Sequence, residues 1–345
     1  MKYATLGKTG LVVSRLTLGT MTFGTGVSRW DFIARVDQDQ ANTMVSQAIE
    51  AGINFFDTAN NYNEGLSEEM LGRALGTRRK DVVVATKLGM PTSDVLTDVG
   101  LSYRNVIAAA EASLKRLGTD YIDLLQLHNP DPVTPFEETA RALDNLVQRG
   151  LVRYVGFSNF SAWQAATMLG IQHQHNYAPF VSAQMYHSLV GRDVEYEIAP
   201  FLQHASLGML VWSPLAGGFL SGKYTRESLT SANGRMAYLD TLFLSVDRET
   251  GYIAIDKLRE IAAAHGEATP AQVALAWSLA KPYVTSVIIG ASNLQQFSDN
   301  VAAINLTLTQ EEVEALDSLT TPKSLYPYNV AAYNGTATRL QALRG

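Results

Sequence analysis

Eight short β-rich runs alternate with helical stretches, and this alternation constrains the fold more than any other feature. The runs are LTLGT (16–20), INFFD (53–57), VVVATK (82–87), YIDLLQLH (121–128), VRYVGFS (152–158), FVSAQM (180–185), GMLVW (208–212) and SVIIG (286–290). Several are apolar at successive positions, which is typical of strands buried on both faces of a parallel sheet. Eight such strands separated by helices predict an α/β fold, a closed (β/α)₈ or TIM barrel.

The ends of several helical stretches can be read from capping residues. The segment TPFE (134–137) predicts a capping box with Thr134 as N-cap, and Gly150 is suited to end that helix. TPAQ (269–272) predicts a second helix start of the same kind, and TQEE (309–312) predicts a third. Regular helices between the strands are what a barrel requires.

Length and spacing favour one barrel over two domains. A single (β/α)₈ barrel with insertions accounts for residues 1–345, whereas a doubly wound sheet would need GxGxxG after its first strand. GTMTFGTG (19–26) has the wrong spacing and no clear helix after it. We expect long loops at the C-terminal face, with 217–247 as a cofactor or substrate loop. The last segment, 321–345, is expected to form a tail near the barrel mouth.

Composition excludes several classes of site and partner. The chain has no cysteine, which rules out disulfides, zinc thiolate sites, iron–sulfur clusters and cysteine nucleophiles. The net charge of −6 and the scattered basic residues argue against nucleic acid as a partner. No segment has the length and hydropathy of a membrane span or signal peptide, so we expect a cytoplasmic protein. The remaining histidines show no metal-ligand spacing, and no metal site is predicted.

Four ionisable residues of different types fall at one end of the predicted barrel. Asp57, Lys87 and His128 end three consecutive strands, and Tyr62 lies in the loop after Asp57. Taken singly, each has a structural explanation as a helix cap, a solvated strand end, a turn partner or a packing aromatic. Because the C-terminal ends of barrel strands form the active face, their coincidence instead predicts a catalytic site.

These residue types suit proton transfer to a carbonyl oxygen. A free phenol has a pKa of about 10, and a neighbouring ammonium lowers it by stabilising the phenolate. Asp57 can keep Lys87 charged and in place, so that Tyr62 becomes the general acid. His128 can donate a hydrogen bond to the same oxygen. The set contains no nucleophile, so the electron pair must come from a cofactor.

Three segments resemble the aldo-keto reductase superfamily. They are NFFDTANNYNEGLSEEMLG (54–72), ATK (85–87) and SLKRLGTDYIDLLQLHNPDP (113–132), and the similarity extends from about Tyr3 to about Thr320. The resemblance implies a barrel that binds extended NADPH or NADP⁺ without a Rossmann domain. It also implies an oxidoreductase that interconverts an aldehyde or ketone and the corresponding alcohol. Its catalytic residues would be Asp57, Tyr62, Lys87 and His128.

The same resemblance implies where the nicotinamide and pyrophosphate bind. GFSNF (156–160) matches the segment that holds the carboxamide, and WSPLAGG (212–218) matches the one that stacks on the ring and lines the pyrophosphate. The residues carried over are Ser158, Asn159 and Gln184 for the carboxamide, Trp212 for the ring, and Ser213, Leu215 and Gly217 for the pyrophosphate. Without the resemblance, a helix cap for Ser158 or Asn159 and a core position for Trp212 stay open.

A third segment resembles the adenosine site but departs from the common pattern. In IIGASNLQQFSDN (288–300), the matching residues are Gly290, Ser292, Gln296 and Asn300. Many family members carry Arg or Lys at the positions of Ser292 and Gln296, and a guanidinium is the better partner for a 2′-phosphate. NADPH remains the expectation and NADH stays open. A basic residue of the long loop, Lys223 or Arg226, could compensate.

The substrate is expected to be a small carbonyl compound or alcohol bound by loops over the mouth. The candidate pocket residues are Met21, Phe23, Trp30, Asn61, Met90 and Asn129, with tail residues such as Tyr326 and Tyr328. Two alternatives stay open: an aldolase that forms a Schiff base at Lys87, and a cofactor-binding regulatory subunit like the potassium-channel β subunits of this fold. The sequence does not indicate an oligomeric state.

Overall fold

The strands follow the predicted alternation. The computed structural model describes residues 1–25, 33–224, 246–266, 268–331, 339 and 341–343. The strands among them are β1 (Tyr3–Thr5), β2 (Val12–Ser14), β3 (Leu16–Gly19), β4 (Phe55–Asp57), β5 (Val83–Leu88), β6 (Ile122–Leu127), β7 (Val152–Ser158), β8 (Phe180–Tyr186), β9 (Gly208–Trp212) and β10 (Ser286–Ile289).

Helices follow the barrel strands on the outside. Those within the described residues are α1 (Gln38–Glu50), α2 (Leu66–Leu75), α3 (Tyr103–Leu117), α4 (Phe136–Gln148), α5 (Ala162–Gln174), α6 (Ile198–Ala205), α7 (Arg248–Ala264), α8 (Pro270–Ala280), α9 (Leu294–Ala302), α10 (Gln310–Leu319) and α11 (Tyr328–Ala331). The strands close in the order β10-β3-β4-β5-β6-β7-β8-β9, and every pair is parallel. The predicted (β/α)₈ barrel is confirmed, and the doubly wound alternative is wrong.

The two remaining strands form a hairpin that the sequence reading did not predict. β1 and β2 pair antiparallel outside the barrel. Leu6 and Val13 of this hairpin are fully buried and belong to one apolar cluster with Phe55 and Leu124 of the barrel strands. Those barrel residues lie towards the N-terminal ends of their strands, so the hairpin closes that end of the barrel.

We call this apolar cluster the floor of the barrel. Because alternate residues of a strand lie on the same side, polar residues follow the floor residues towards the open end of the barrel. Phe55 belongs to the floor, and Asp57 is the next residue of β4 on the same side. Leu124 is related to Gln126 of β6 in the same way, and Lys87 lies opposite Gln126 in the register of β5 and β6. The polar side chains therefore meet at the C-terminal ends of the strands.

The capping box predicted at 134–137 is wrong. Helix α4 has Pro135 as its N-cap and no side-chain cap. Thr134 Oγ1 instead donates a hydrogen bond to Asp131 Oδ2 at 2.6 Å, so the hydroxyl serves the preceding turn. The boxes at Thr269 and Thr309 are confirmed.

Five strand ends differ by one residue from the prediction, and two of them concern expected catalytic residues. Lys87 is followed by Leu88 within β5, and His128 comes directly after the last residue of β6. Both side chains still lie at the C-terminal end of the barrel, because His128 continues the hydrogen-bonding pattern through its backbone N–H, which donates to Leu88 O at 2.9 Å.

The described parts of the predicted loop and tail have definite contacts. The loop 217–247 begins within a tight turn, Ala216–Ser221, and its residues 225–245, among them Arg226, lie outside the described residues. In the tail, Tyr328 stacks on Tyr196 and donates a hydrogen bond to Glu197. Within the described part of the chain, no helix combines the length and apolarity needed to cross a bilayer.

Candidate active site

The four expected catalytic residues come together at the C-terminal end of the barrel. Lys87 Nζ lies 2.6 Å from Asp57 Oδ1 and 3.2 Å from Tyr62 Oη. The rings of Tyr62 and His128 meet edge to face with centroids 5.8 Å apart. Strands β4, β5 and β6 are neighbours in the barrel, which brings these side chains into one group.

The three hydrogens of the Lys87 ammonium each have an acceptor. They go to Asp57 Oδ1, to Thr58 O at 2.8 Å and to Tyr62 Oη. Burial lowers the pKa of Lys87, but the charge of Asp57 and the contact with Tyr62 outweigh burial, so that the pKa lies above its ordinary value. The amine is therefore an ammonium. This argues against the aldolase alternative, which needs an uncharged lysine.

The loop that carries Tyr62 is fixed by buried hydroxyl groups. Ser67 Oγ donates to Thr20 O at 2.7 Å and lies 3.1 Å from Thr58 Oγ1. These contacts connect the end of β3, the residue after Asp57 and the start of α2. Tyr62 begins a short 3₁₀ segment between them. Its position relative to Lys87 is thus set by the ends of several elements rather than by one free loop.

His128 is a neutral imidazole at physiological pH. Burial, together with the charge of Lys87, lowers the pKa of His128 to about 3. Its Nδ1 is buried and has no hydrogen-bond partner among the described residues. A neutral imidazole carries one N–H donor, and an unpaired buried N–H is costly, so the proton is better placed on Nε2.

The residues expected at the nicotinamide end contact one another and the catalytic group. Trp212 Nε1 donates to Asn159 Oδ1 at 3.2 Å, and Asn159 Nδ2 donates to His128 O at 3.0 Å. Ser158 Oγ donates to Gln184 O at 2.7 Å. The amide of Gln184 donates to Asp57 Oδ2, also at 2.7 Å. Two sets of hydrogen bonds thus join the expected carboxamide ligands to the expected catalytic residues, one ending at His128 and the other at Asp57.

The segment after β9, where the pyrophosphate is expected, forms a tight turn beside an ammonium. Ser213, Ala216, Gly217 and Gly218 all have positive φ values, between 49° and 99°. Backbone N–H groups of the segment donate within the turn, from Ala216 N to Ser213 O at 2.8 Å and from Gly217 N to Ser213 Oγ at 3.2 Å. A Cβ on Gly218 would lie 3.5 Å from Lys223 Nζ, so an ammonium stands beside the turn. Leu215 contributes its carbonyl, which accepts from Gly218 N at 2.9 Å.

The expected adenosine residues lie in helix α9 and in the loop before it. Gln296 Oε1 accepts from Ser292 N at 3.0 Å, and Asn300 Nδ2 donates to Gly290 O at 3.2 Å. Asn293 caps the helix through Gln296 N. Ser292 and Gln296 are exposed, so both positions are open to a ligand from solvent.

The expected substrate-pocket residues do not form a single group. Asn129 Nδ2 lies 2.8 Å from Met90 Sδ, and Asn129 Oδ1 accepts from Asn159, so these two candidates adjoin the nicotinamide end. Asn61 is buried, and its Oδ1 has no partner within the described residues. Phe23 is fully buried in the main hydrophobic core, and Met21 is half-buried. Trp30 lies outside the described residues.

Two polar residues near the tetrad were missed in the sequence. Gln126 is fully buried and its Nε2 donates to Asp57 Oδ2 at 3.2 Å. Glu68 is also fully buried, and it accepts from Thr86 Oγ1 at 2.5 Å and from Arg116 Nε at 2.7 Å. A single amide in the apolar run YIDLLQLH, two residues before His128, was the available signal for Gln126.

A comparison with known families identifies the chain. The model described as Aldo/keto reductase family matches residues 15–321. The chain belongs to the aldo/keto reductase family. As a member of that family, it is an oxidoreductase that acts between carbonyl compounds and alcohols.

Relatives of this aldo/keto reductase match it over nearly their whole length. Versiconal hemiacetal acetate reductase of Aspergillus parasiticus is 35% identical over 347 residues, which cover 95% of the chain and 99% of the relative. An uncharacterized oxidoreductase of Bacillus subtilis is 36% identical over 330 residues, covering 92% and 96%. A probable voltage-gated potassium channel subunit beta of Oryza sativa is 35% identical over 333 residues, covering 94% and 98%.

Proposed function

We propose that the chain is an NADPH-dependent reductase that interconverts an aldehyde or ketone and its alcohol, with Tyr62 as general acid and base. The observation that carries the proposal is the buried Lys87 ammonium, which lies 3.2 Å from the Tyr62 hydroxyl oxygen while its other hydrogens bind Asp57 and Thr58. Because an ammonium at this distance stabilises the phenolate, this contact supports Tyr62 as the proton donor of the site.

The direction of this hydrogen bond follows from the chemistry of the two groups. An ammonium can only donate, so the Tyr62 oxygen is the acceptor and the phenolic hydrogen points away from Lys87. A positive charge at this distance stabilises the phenolate, which makes the proton easier to transfer. In carbonyl reduction Tyr62 gives this proton to the carbonyl oxygen, and in alcohol oxidation the phenolate takes it back.

His128 would orient the carbonyl beside Tyr62. Because its imidazole is neutral, it donates one hydrogen bond without competing with Tyr62 as the acid. Asn61, Met90 and Asn129 are the candidates that would face the rest of the substrate. The substrate class is a small aldehyde, ketone or alcohol.

The residues present fit a nicotinamide dinucleotide. The ammonium of Lys223 beside the turn after β9 offers a positive charge to a pyrophosphate, and the side-chain amides next to Trp212 are groups of the kind that bind a carboxamide. When bound, such a cofactor supplies the hydride. The residues that would hold it are Ser158, Asn159, Gln184, Trp212, Ser213, Leu215, Gly217, Gly290, Ser292, Gln296 and Asn300.

The proposal is tested by following NADPH absorbance with a panel of aldehydes and ketones. We expect wild-type turnover and loss of carbonyl reduction in Tyr62→Phe, with NADPH binding nearly unchanged by fluorescence titration. Tyr103→Phe is the control, since it removes a hydroxyl from a tyrosine of helix α3 whose ring packs against Arg141 of helix α4. Turnover retained by Tyr62→Phe would rule out Tyr62 as the acid.

A second candidate is a regulatory subunit that binds the cofactor with little turnover. It is favoured by the 35% identity to a protein described as a potassium channel β subunit. The same experiment distinguishes the two candidates. Tight NADPH binding without turnover on any compound of the panel would support the regulatory subunit.

A further inference from the structure

The second carboxylate oxygen of Asp57 is held by two amides from other strands. Oδ1 accepts from Lys87, whereas Oδ2 accepts from Gln126 Nε2 at 3.2 Å and from Gln184 Nε2 at 2.7 Å. An ionised carboxylate only accepts hydrogen bonds, so both amides must turn their NH₂ groups towards it. Gln184 has an expected role at the nicotinamide, but Gln126 has none.

The surroundings of Gln126 show that its amide serves the carboxylate. Gln126 is fully buried in β6, and Leu124, the next residue below it on the same side, belongs to the apolar floor. An amide in such a place is unfavourable unless it is hydrogen-bonded. Its bonds go to Asp57 and, through Oε1, to Gln184 Nε2 at 3.5 Å.

The two glutamines can reach Asp57 because strand β7, which lies between theirs, has a glycine at this level of the barrel. Strands β4 and β8 are four apart in a barrel of eight, so Gln184 spans the barrel to contact Asp57. Between β6 and β8, the residue in register with Gln126 is Gly156. A Cβ there would lie 2.9 Å from Ser182 O, so β7 contributes no side chain at this level.

Holding Oδ2 also restrains Lys87. With one carboxylate oxygen bound to two amides, Asp57 cannot rotate without breaking those bonds. The ammonium of Lys87 therefore keeps its orientation, with its longest hydrogen bond, 3.2 Å, directed at Tyr62 and shorter ones of 2.6 and 2.8 Å at Asp57 and Thr58. The longest contact is the first to weaken if the carboxylate moves.

We propose that Gln126 is a positioning residue for proton transfer, which holds Asp57 so that Lys87 stays against Tyr62. The inference rests on the proposed function of Tyr62 and adds a residue that does not touch the substrate. Lys87 and His128 both face the Tyr62 ring, and Asp57 lies behind the ammonium. His128 is neutral, so it adds no charge beside the phenol, whereas the balance between Lys87 and Asp57 affects how readily the phenol loses its proton.

Removing the Gln126 amide changes that balance in one direction. Without its dipole, the negative charge of Asp57 is less compensated, and the carboxylate is freer to draw Lys87 away from Tyr62. Both effects disfavour the phenolate, so the pKa of Tyr62 rises. We expect a rise of about one unit and a fall of about tenfold in kcat/KM for carbonyl reduction in Gln126→Met.

The test measures the titration of Tyr62 directly and does not depend on turnover. Cofactor-free protein labelled with ¹³C at the tyrosine ring is titrated by NMR, and the Tyr62 signal is the one absent from Tyr62→Phe. The pH profile of kcat/KM is recorded alongside, and its basic limb should move upward in Gln126→Met. Leu124→Met is the matched control, because it alters the same face of β6 without touching a polar contact.

The outcomes separate this inference from the proposed function. An upward shift in Gln126→Met but not in Leu124→Met supports the positioning role, even if the wild type reduces no carbonyl compound. An unchanged Tyr62 titration overturns it, even if activity falls. Should Gln126→Met fail to fold, Gln126→Asn withdraws the same donor by one methylene and should give a smaller shift of the same sign, whose absence also overturns the inference.

Discussion

Lys87 and Asp57 form an ion pair at 2.6 Å in which both side chains are almost inaccessible to water. Such a pair is favourable only while both charges are present, because each compensates the desolvation of the other. The pair thus supports the fold as well as the proposed chemistry, and removal of either partner alone should be felt in both.

Asp57→Asn should therefore destabilise the protein. It leaves the Lys87 ammonium buried without a counter charge, and we expect the free energy of unfolding in urea to fall by about 3–5 kcal/mol. The double variant Asp57→Asn/Lys87→Met removes both charges and should recover most of the stability but no activity. A single variant as stable as the wild type would contradict this account of the pair.

The Glu68–Arg116 pair should respond unequally to loss of its two partners. Glu68 is fully buried, whereas the Arg116 side chain is 23% exposed and can be hydrated. Arg116→Leu leaves a buried carboxylate and should cost about 3 kcal/mol in unfolding free energy, more than Glu68→Gln. Urea denaturation of both variants at neutral pH checks the order, and equal losses would mean that burial does not set it.

His128 should make the protein less stable in mild acid. Its pKa is lowered from 6.5 to about 3 in the fold, so between these values the unfolded chain binds a proton that the folded chain does not. Stability is therefore fully present above pH 6.5 and is lost as the pH falls towards 3, by about 1 kcal/mol per pH unit from this residue. In His128→Gln this part of the slope should disappear from denaturation curves measured between pH 7 and 4, and a slope like that of the wild type would refute it.

Cofactor preference should change at the start of α9. Ser292 and Gln296 are exposed and uncharged, so Ser292→Arg or Gln296→Arg would bring a guanidinium to the expected 2′-phosphate position. We expect the ratio of kcat/KM for NADPH over NADH to rise about tenfold or more. Gln295→Arg adds the same charge to an exposed neighbouring position and serves as control. An unchanged ratio in the first two variants would place the phosphate elsewhere.

The sequence predicted the barrel because its strands are marked locally. Runs such as VVVATK and VRYVGFS are long and apolar enough to be recognised without partners, and the polar residue after each run marks the open end. The three-residue strands β1 and β2 carry too little pattern for this, which is why the hairpin was missed. The cap of α4 failed for a different reason, since Thr134 had Asp131 as a competing partner.

The sequence did not indicate which polar side chains form hydrogen bonds across the barrel. The contact between Gln184 and Asp57 joins residues 127 positions apart, and that between Gln126 and Asp57 joins residues 69 apart. Nothing near Gln126 in the chain indicates that Asp57 lies within reach, because their proximity depends on the closure of the sheet. Long-range polar contacts of this kind follow from topology rather than from local pattern.

The N-terminal hairpin affects the electrostatic attraction between Asp57 and Lys87, although it lies at the opposite end of the barrel from the proposed catalytic residues. Its Leu6 and Val13 are buried in one apolar cluster with Phe55 and Leu124, which lies on the side of Asp57 and Gln126 away from the open end of the barrel. The attraction between the charges of Asp57 and Lys87 therefore acts in surroundings of low dielectric constant, where it is stronger than in water. If the chain began at Arg15, water would reach the apolar cluster beneath the ion pair and weaken the attraction, although every catalytic residue would be unchanged.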